Sequence, residues 1–248
     1  MSYRSSFIAG AITNTVFGFI RAAILLAVWK QKPEIAGYDA SDAVTYTFLT
    51  QALLAPLAIL GGTTELSLRI RTGDVAVDLY RPCDLQGWFL AGDMGRAGSS
   101  LALRSLPPLV AGALVYRLSL PAAPVRWLEF AASTLVALLI SFAIRYLISV
   151  SVFWTLDERG AASMLGVVGT FCSGMILPLG MLPGWLGSLC YELPWASMLQ
   201  VPINVLLGAQ PGGFAAAFGV QVLWAAALLG LGRVCTAAAR HKVVVQGG

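Results

Sequence analysis

Long apolar runs separated by short polar breaks organise this chain, and the runs predict helices of membrane-crossing length. Six such runs fall at about 7–29, 43–62, 97–116, 127–154, 161–182 and 214–239. Each is near or above the roughly 20 residues that a helix needs to cross a bilayer. One break differs from the others. Between Glu65 and Asp93 stand Glu65, Arg69, Arg71, Asp74, Asp78, Arg81, Asp84 and Asp93. Such an island is too charged for hydrocarbon and too short for an independent domain, so it is expected outside the bilayer, offered to a partner. A second irregular stretch, 178–211, carries Pro178, Pro183, Pro194, Pro202 and Pro211 yet stays apolar, with Trp185, Tyr191 and Trp195. Proline interrupts helices, and these aromatics suit a membrane interface, so short helices dipping into one leaflet are expected there. Irregular backbone at that depth has to be covered by protein or to line a wet cavity.

Composition sharpens the class. The chain has 248 residues, 58% hydrophobic and only 11% charged, with mean hydropathy +0.78. A soluble domain averages roughly 25% charged. A β-barrel would need short alternating segments rather than unbroken runs. The fold class is therefore an all-α integral membrane protein, one transmembrane domain over residues 1–248. The net charge of +4 reads as the basic bias of cytoplasmic loops rather than a nucleic-acid footprint. The first apolar run has no small-residue cleavage site behind it, so no cleavable signal is expected.

Basic residues orient the spans. With the N-terminus inside, Arg4, Arg69, Arg71, Arg81, Arg96, Arg159, Arg240 and Lys242 face the cytoplasm, against Lys30, Lys32, Arg117 and Arg126 outside. Both termini are then cytoplasmic, and 30–42, 117–126 and 183–213 face outward. Arg104, Arg145 and Arg233 lie within spans near the cytoplasmic side, where long side chains snorkel to water. Arg21 sits eight residues before Trp29, about 12 Å into the membrane. Either residues 2–12 lie at the interface and the span starts late, or Arg21 and Asn14 belong to a partnered inward surface.

Candidate chemistry is sparse. Cys83, Cys172, Cys190 and Cys235 form no CxxC, and His241 is the only histidine, so no metal site is expected and the cysteines read as small core residues or incidental thiols. The three lysines follow no glycine-rich loop, which excludes a P-loop. Ser173 lies in no GxSG motif, and the lone histidine leaves no intramembrane Ser–His pair. Ala162, Gly166, Thr170 and Gly174 recur at four-residue spacing, a small-residue stripe that lets another helix approach closely.

The run ELSLRIRTGDVAVDLYRPCDLQ (65–86), the run SGMILPLGMLPGWLGSLCYELPWASMLQVPINVLLG (173–208) and AGYDASDAVTYTFLTQALL (36–54) together resemble the permease subunits of type-2 ABC exporters, in the small six-span group without a fused ATPase. The resemblance covers essentially the whole chain. The first run is fairly specific, and the proline-rich one is shared widely among such permeases. The resemblance implies six transmembrane helices, a cytoplasmic coupling helix after the second span, and short outer-leaflet helices before the sixth. It also implies separate ABC ATPase subunits that carry ATP and magnesium, and a second permease copy or sister permease across a central path.

On that reading Arg69, Arg71, Asp74, Asp78 and Arg81 contact the ATPase, and Val75 and Leu79 form an apolar face that fills its groove. Gly73–Asp74 is expected to turn the chain and start a helix, with Asp74 capping it and Asp78 one turn on. Arg81–Pro82 would end it. Asp157, Glu158 and Arg159 make a second, smaller contact. The chain itself is no enzyme and binds no cofactor or nucleic acid. Its substrate is expected to be amphiphilic or drug-like. Rich Ala, Leu, Gly and Arg with little Lys suits a GC-rich bacterium, hence an inner membrane. Two other classes stay open: an ion-coupled secondary transporter and a structural membrane partner. The first would keep carboxylates mid-membrane, whereas Glu129, near the outer interface, is the only carboxylate expected near a span.

Overall fold

The computed structural model describes residues 2–31, 34–60 and 64–246, and its regular elements among these are all helical. They run α1 (Ser2–Trp29), α2 (Ala40–Leu57), α3 (Glu65–Thr72), α4 (Val75–Tyr80), α5 (Leu85–Ser100), α6 (Leu106–Val115), α7 (Pro124–Thr155), α8 (Arg159–Cys172), α9 (Gly184–Glu192), α10 (Pro194–Met198), α11 (Gln200–Leu207) and α12 (Gly213–Gln246). A π segment, Leu101–Ser105, joins α5 to α6, and a 3₁₀ turn, Leu179–Met181, precedes α9.

By length and apolar composition, four helices can cross a membrane: Ile8–Trp29, Leu85–Val115, Pro124–Thr155 and Gly213–Arg240. This is an all-α, multi-pass membrane protein. α7 is its axis, with most of its apolar length covered, while α1, α5–α6 and α12 leave most of theirs exposed. Around α7 pack α12, α11, α10, α3, α5 and α2. The largest cluster of buried side chains joins Trp29, Tyr46, Leu53, Ile140, Leu199 and Ile203.

Several boundaries differ from the apolar runs, each for a local reason. The expected second span, 43–62, is α2, which starts earlier. Asp39 caps it by accepting from Asp42 N, and the Asp42 carboxylate accepts from Asp39 N, a reciprocal capping box. It ends earlier too, with Pro56 in its last turn and Ala58 at φ 47°. Gly61 and Gly62 lie outside the described residues. α2 is almost wholly buried despite its polar content. Thr45, Thr47 and Thr50 each return a hydroxyl proton to the carbonyl four residues back, which satisfies them without water.

The expected third span, 97–116, begins a dozen residues earlier, at Leu85, because Asp84 accepts from Gly87 N and caps the helix inside the charged island. The helix does not stop at Pro107 and Pro108. These lack amide hydrogens, and the turn before them relaxes into the π segment. Ser105 uses the slack to donate to the Ala52 carbonyl of α2 at 2.5 Å.

The expected fifth span, 161–182, is not one helix. α8 stops at Cys172, and Gly174 turns the chain at φ +80°, a conformation that suits glycine. At 14 residues α8 is about 21 Å long. Past the break, 178–211 folds into the short helices that its prolines predict.

Contacts sort the connections into two ends. At the proline-rich end, Ser41 donates to Arg117 O, Arg126 reaches Val205 O, and Tyr38 bonds Asn204. A polar knot lies there among apolar walls. Gln200 Nε2 donates to Tyr38 and to Asn204 Oδ1, both at 2.8 Å. The Tyr46 hydroxyl lies 2.6 Å from Gln200 Oε1, and Asn204 donates to Tyr191. This knot covers the irregular backbone: Leu179 N donates to Gln200 Oε1, and the Gly174 carbonyl lies 2.7 Å from Tyr46. At the other, charged end sit α3, α4, the start of α5 and the α7–α8 connection.

Arg21 and Asn14 of α1 both have partners on neighbouring segments. Asn14 Nδ2 donates to Gln51 O of α2, and Arg21 donates to Ile176 O just past the α8 break. α1 is one continuous helix from Ser2.

Candidate functional site

The charged end carries a helical hairpin built from the island. Thr64, extended at φ −90°, accepts from Ser67 N and starts α3. Glu65 stands in the first turn of α3 and Arg69 and Arg71 in its last, the order that the helix dipole favours. Gly73 at φ +83° ends α3, and α4 follows at Val75. Arg81, extended, stops α4 before Pro82 as expected.

Asp74 does not cap α4. Its own backbone is already helical, so its carboxylate cannot reach the first-turn amides, and it accepts from Thr72 Oγ1 at 2.7 Å instead. Asp78 does not share its face. It is buried and held by Arg69, which donates Nη2 to Oδ1 at 2.8 Å and Nε to Oδ2. That bond drives the Arg69 guanidinium still higher in pKa. Arg81 Nη1 lies 3.8 Å from the same carboxylate, and its guanidinium stacks over the Trp88 ring at 5.8 Å. Arg71 is exposed.

Val75 and Leu79 do not form an open apolar face. Val75 is 2% exposed and packs with Leu66 and Leu85 against Phe142, Tyr146 and Val150 of α7, with Leu79 alongside. A six-residue helix is stable only against a neighbour, so its best apolar side turns inward. The apolar side chains left facing out are Leu68, Val77, Trp88 and Tyr80, the last 90% exposed. Sequence reasoning passed over these four. The signal was available, because Val77 and Tyr80 are three apart and point away from the Val75–Leu79 pair.

The α7–α8 connection is hydrogen-bonded to the hairpin through Glu158. Glu158 is 2% exposed, and Ser67 of α3 donates to its Oε2. Thr64 Oγ1 lies 2.9 Å from Ser67 and 2.6 Å from Ser149 of α7, which closes a chain of hydroxyls behind it. Asp157 and Arg159 pair with one another in solvent at 3.0 Å. The Arg159 hydrogen bonds hold the Asp157 carboxyl below its usual range.

Beneath the hairpin lies an ion cluster that the apolar runs did not reveal. Arg145 of α7 grips Asp93 of α5 with Nη2–Oδ2 at 2.7 Å and Nη1–Oδ1 at 3.0 Å. Arg96 donates Nε to Asp93 at 2.8 Å and its other two nitrogens to Ala55 O and Pro56 O, carbonyls in the last turn of α2. So Arg145 is paired rather than snorkelling, and Asp93, not only Glu129, is a carboxylate within a membrane-length helix. The extra length of the Leu85–Val115 helix put it there. A cavity of about 380 Å³ opens between this cluster and α3, lined by Glu65, Phe89, Tyr146 and Ser149 among others. An arginine in the fourth run with no neighbouring carboxylate was the available clue.

The small-residue stripe divides. Ala162, Gly166 and Thr170 line a groove of about 270 Å³ with Leu60 and Phe171. Gly174 is the break itself. The close helix contact falls instead at Gly169, where an added Cβ would meet Trp195 Cδ1 at 2.9 Å. Among the described residues no group of three His, Cys, Asp or Glu side chains could hold a metal.

The family model described as ABC-2 family transporter protein covers residues 14–243. No curated protein and no solved structure matches the chain. That match spans nearly the whole helical bundle, hairpin, ion cluster and proline-rich end included, and on it the chain belongs to the ABC-2 family of transporter proteins, as a membrane-embedded permease.

Proposed function

We propose that this permease is the membrane subunit of an ATP-driven exporter, that it works with separate ABC ATPase subunits, and that α3–α4 is where they dock. ATP and magnesium belong to the partner, because this chain has no P-loop. The observation that carries the reading is the hairpin. Its apolar side is locked onto α7, Arg69–Asp78 ties its two helices, and Leu68, Val77 and Tyr80 project outward among Arg71 and Asp74. A rigid charged helix pair with apolar teeth suits a groove on a soluble protein. Arg69, Asp78, Val75 and Leu79 then hold its shape, while Arg71, Asp74, Arg81, Val77 and Tyr80 make the contact. Asp157 and Arg159 form an adjoining edge, and Glu158 joins it to α3.

In this reading α1, α2, α5–α6, α7, α8 and α12 make six passes of a bacterial inner membrane, with both termini and the hairpin cytoplasmic and the proline-rich end outside. The basic asymmetry of the loops supports it. The exposed apolar edges of α1 and α8 face a second permease copy or lipid. The substrate is an amphiphile or drug-like molecule, in keeping with the apolar surfaces.

The test is co-purification with a co-expressed ABC ATPase, together with efflux of a panel of amphiphilic cations from cells. V77D/Y80D should lose the ATPase and the efflux while still inserting at normal level. Retention of both by that variant would remove α3–α4 as the docking element. A cysteine placed at Thr72 should be closed to an impermeant thiol reagent in intact cells, and strong labelling there would invert the topology.

A further inference from the structure

Two of the four cysteines meet across the break in the fifth apolar run. Cys172 is the last residue of α8 and Cys190 lies in α9, 18 positions on, yet their sulfurs are 3.5 Å apart, both as free thiols. Between them run the Gly174 reversal, the 3₁₀ turn and Pro183. The pair sits in a small apolar cluster with Leu179, Ala196, Leu182 and Leu186. Cys190 is buried and Cys172 half-buried. Cys83 lies exposed at the charged end, and Cys235 belongs to α12.

We propose that Cys172 and Cys190 are a reversible disulfide-forming pair, which pins the re-entrant helix α9 to the end of α8. A disulfide needs sulfurs about 2.05 Å apart, so roughly 1.5 Å of approach suffices, shared between two side chains on separate short helices. The chemistry is exchange with an external disulfide oxidant. Cys172, the more accessible sulfur, loses its proton and attacks the oxidant's disulfide, and one oxidant thiol leaves. Cys190 then attacks the mixed disulfide, and the second oxidant thiol leaves. The two protein thiols are oxidised by two electrons in all, and the oxidant becomes a dithiol. Such oxidants work on the outer side of a bacterial inner membrane, whereas cytoplasmic thiols stay reduced. The physiological role therefore rests on the outward placement of the proline-rich end proposed above. The geometric claim does not.

The experiment uses full-length protein in native membranes, with diamide as oxidant. Free thiols are then blocked with N-ethylmaleimide, the protein is reduced, and newly freed thiols are tagged with a maleimide polymer. Two tags should appear, mapped to Cys172 and Cys190 by peptide mass, and C172A and C190A should show none. Absence of both tags after oxidation of the wild type would overturn the pairing. A parallel arm labels Cys83 in intact cells with an impermeant maleimide. Labelling of Cys83 from outside would overturn the oxidising location while leaving the membrane result to judge the pair. With Cys83 protected, two tags from cells blocked without diamide would place the disulfide in the living cell.

Discussion

Arg145 meets Asp93 edge-on, with both terminal nitrogens on both carboxylate oxygens at 2.7 and 3.0 Å, and so α7 is bolted to α5 directly under the hairpin. Both side chains are largely hidden, with 15% and 10% of their surfaces exposed. Removing one partner of such a pair leaves a buried charge and costs about 3–5 kcal/mol. R145A should therefore lower the thermal midpoint in detergent sharply. D93A should do the same, since it leaves Arg145 unpaired, while Arg96 keeps its two carbonyl acceptors. The double variant should lose less than the sum of the two, because neither charge is then left alone. Additive losses would mean that the two residues do not act on each other.

The hairpin has an inner and an outer side, and variants should separate them. V75D puts a charge against Phe142 and Tyr146 and should cost more than about 2 kcal/mol, seen as lost yield of folded permease. Y80A and V77A should leave the thermal midpoint unchanged. Each should weaken ATPase association by roughly thirtyfold if it fills a pocket worth about 2 kcal/mol. A normal midpoint for V75D would show that the hairpin does not pack on α7.

Glu158 ties the α7–α8 connection to α3 by a buried hydrogen bond from Ser67. E158Q keeps an oxygen for the Ser67 hydroxyl and should be nearly silent. E158L removes the acceptor and should cost about 1–3 kcal/mol. The measurement is limited proteolysis: cleavage within 68–84 should accelerate in E158L and not in E158Q. Equal cleavage in both would remove Glu158 from the joint.

Glycines of α8 should respond by position, not by type. G169L drives a side chain into Trp195 and should cost about 1–3 kcal/mol of overpacking. G166A meets only Leu60 O at 3.9 Å and should be tolerated. A thermal melt of both decides. If G166A were the worse variant, the stripe and not Gly169 would be the seat of packing.

The membrane class, the island and the broken helices before α12 were all legible in the sequence, because each depends on composition or proline over many residues. Helix ends were less so. Asp39 and Asp84 start helices several residues outside the apolar runs, since one capping carboxylate outweighs local hydropathy. The direction of a single side chain was the hardest to read. Val75 and Val77 are alike in chemistry, and only the presence of α7 on one side decides which is buried. Asp93 was counted with the solvent-facing charges because its partner lies 52 positions away.

α2 carries a consequence for how the protein is made. Its threonine hydroxyls are closed on its own carbonyls, but Ser41, Asp42, Tyr46, Gln51 and Pro56 remain, and the Pro56 carbonyl waits for Arg96 of a helix not yet synthesised. Alone in lipid it would be a poor passenger. Asn14 of α1 reaches the Gln51 carbonyl, which gives α2 a polar partner made before it. The end of α2 is thus closed in two later steps, when Arg96 reaches the Pro56 carbonyl and then Ser141 of α7 reaches that of Leu57.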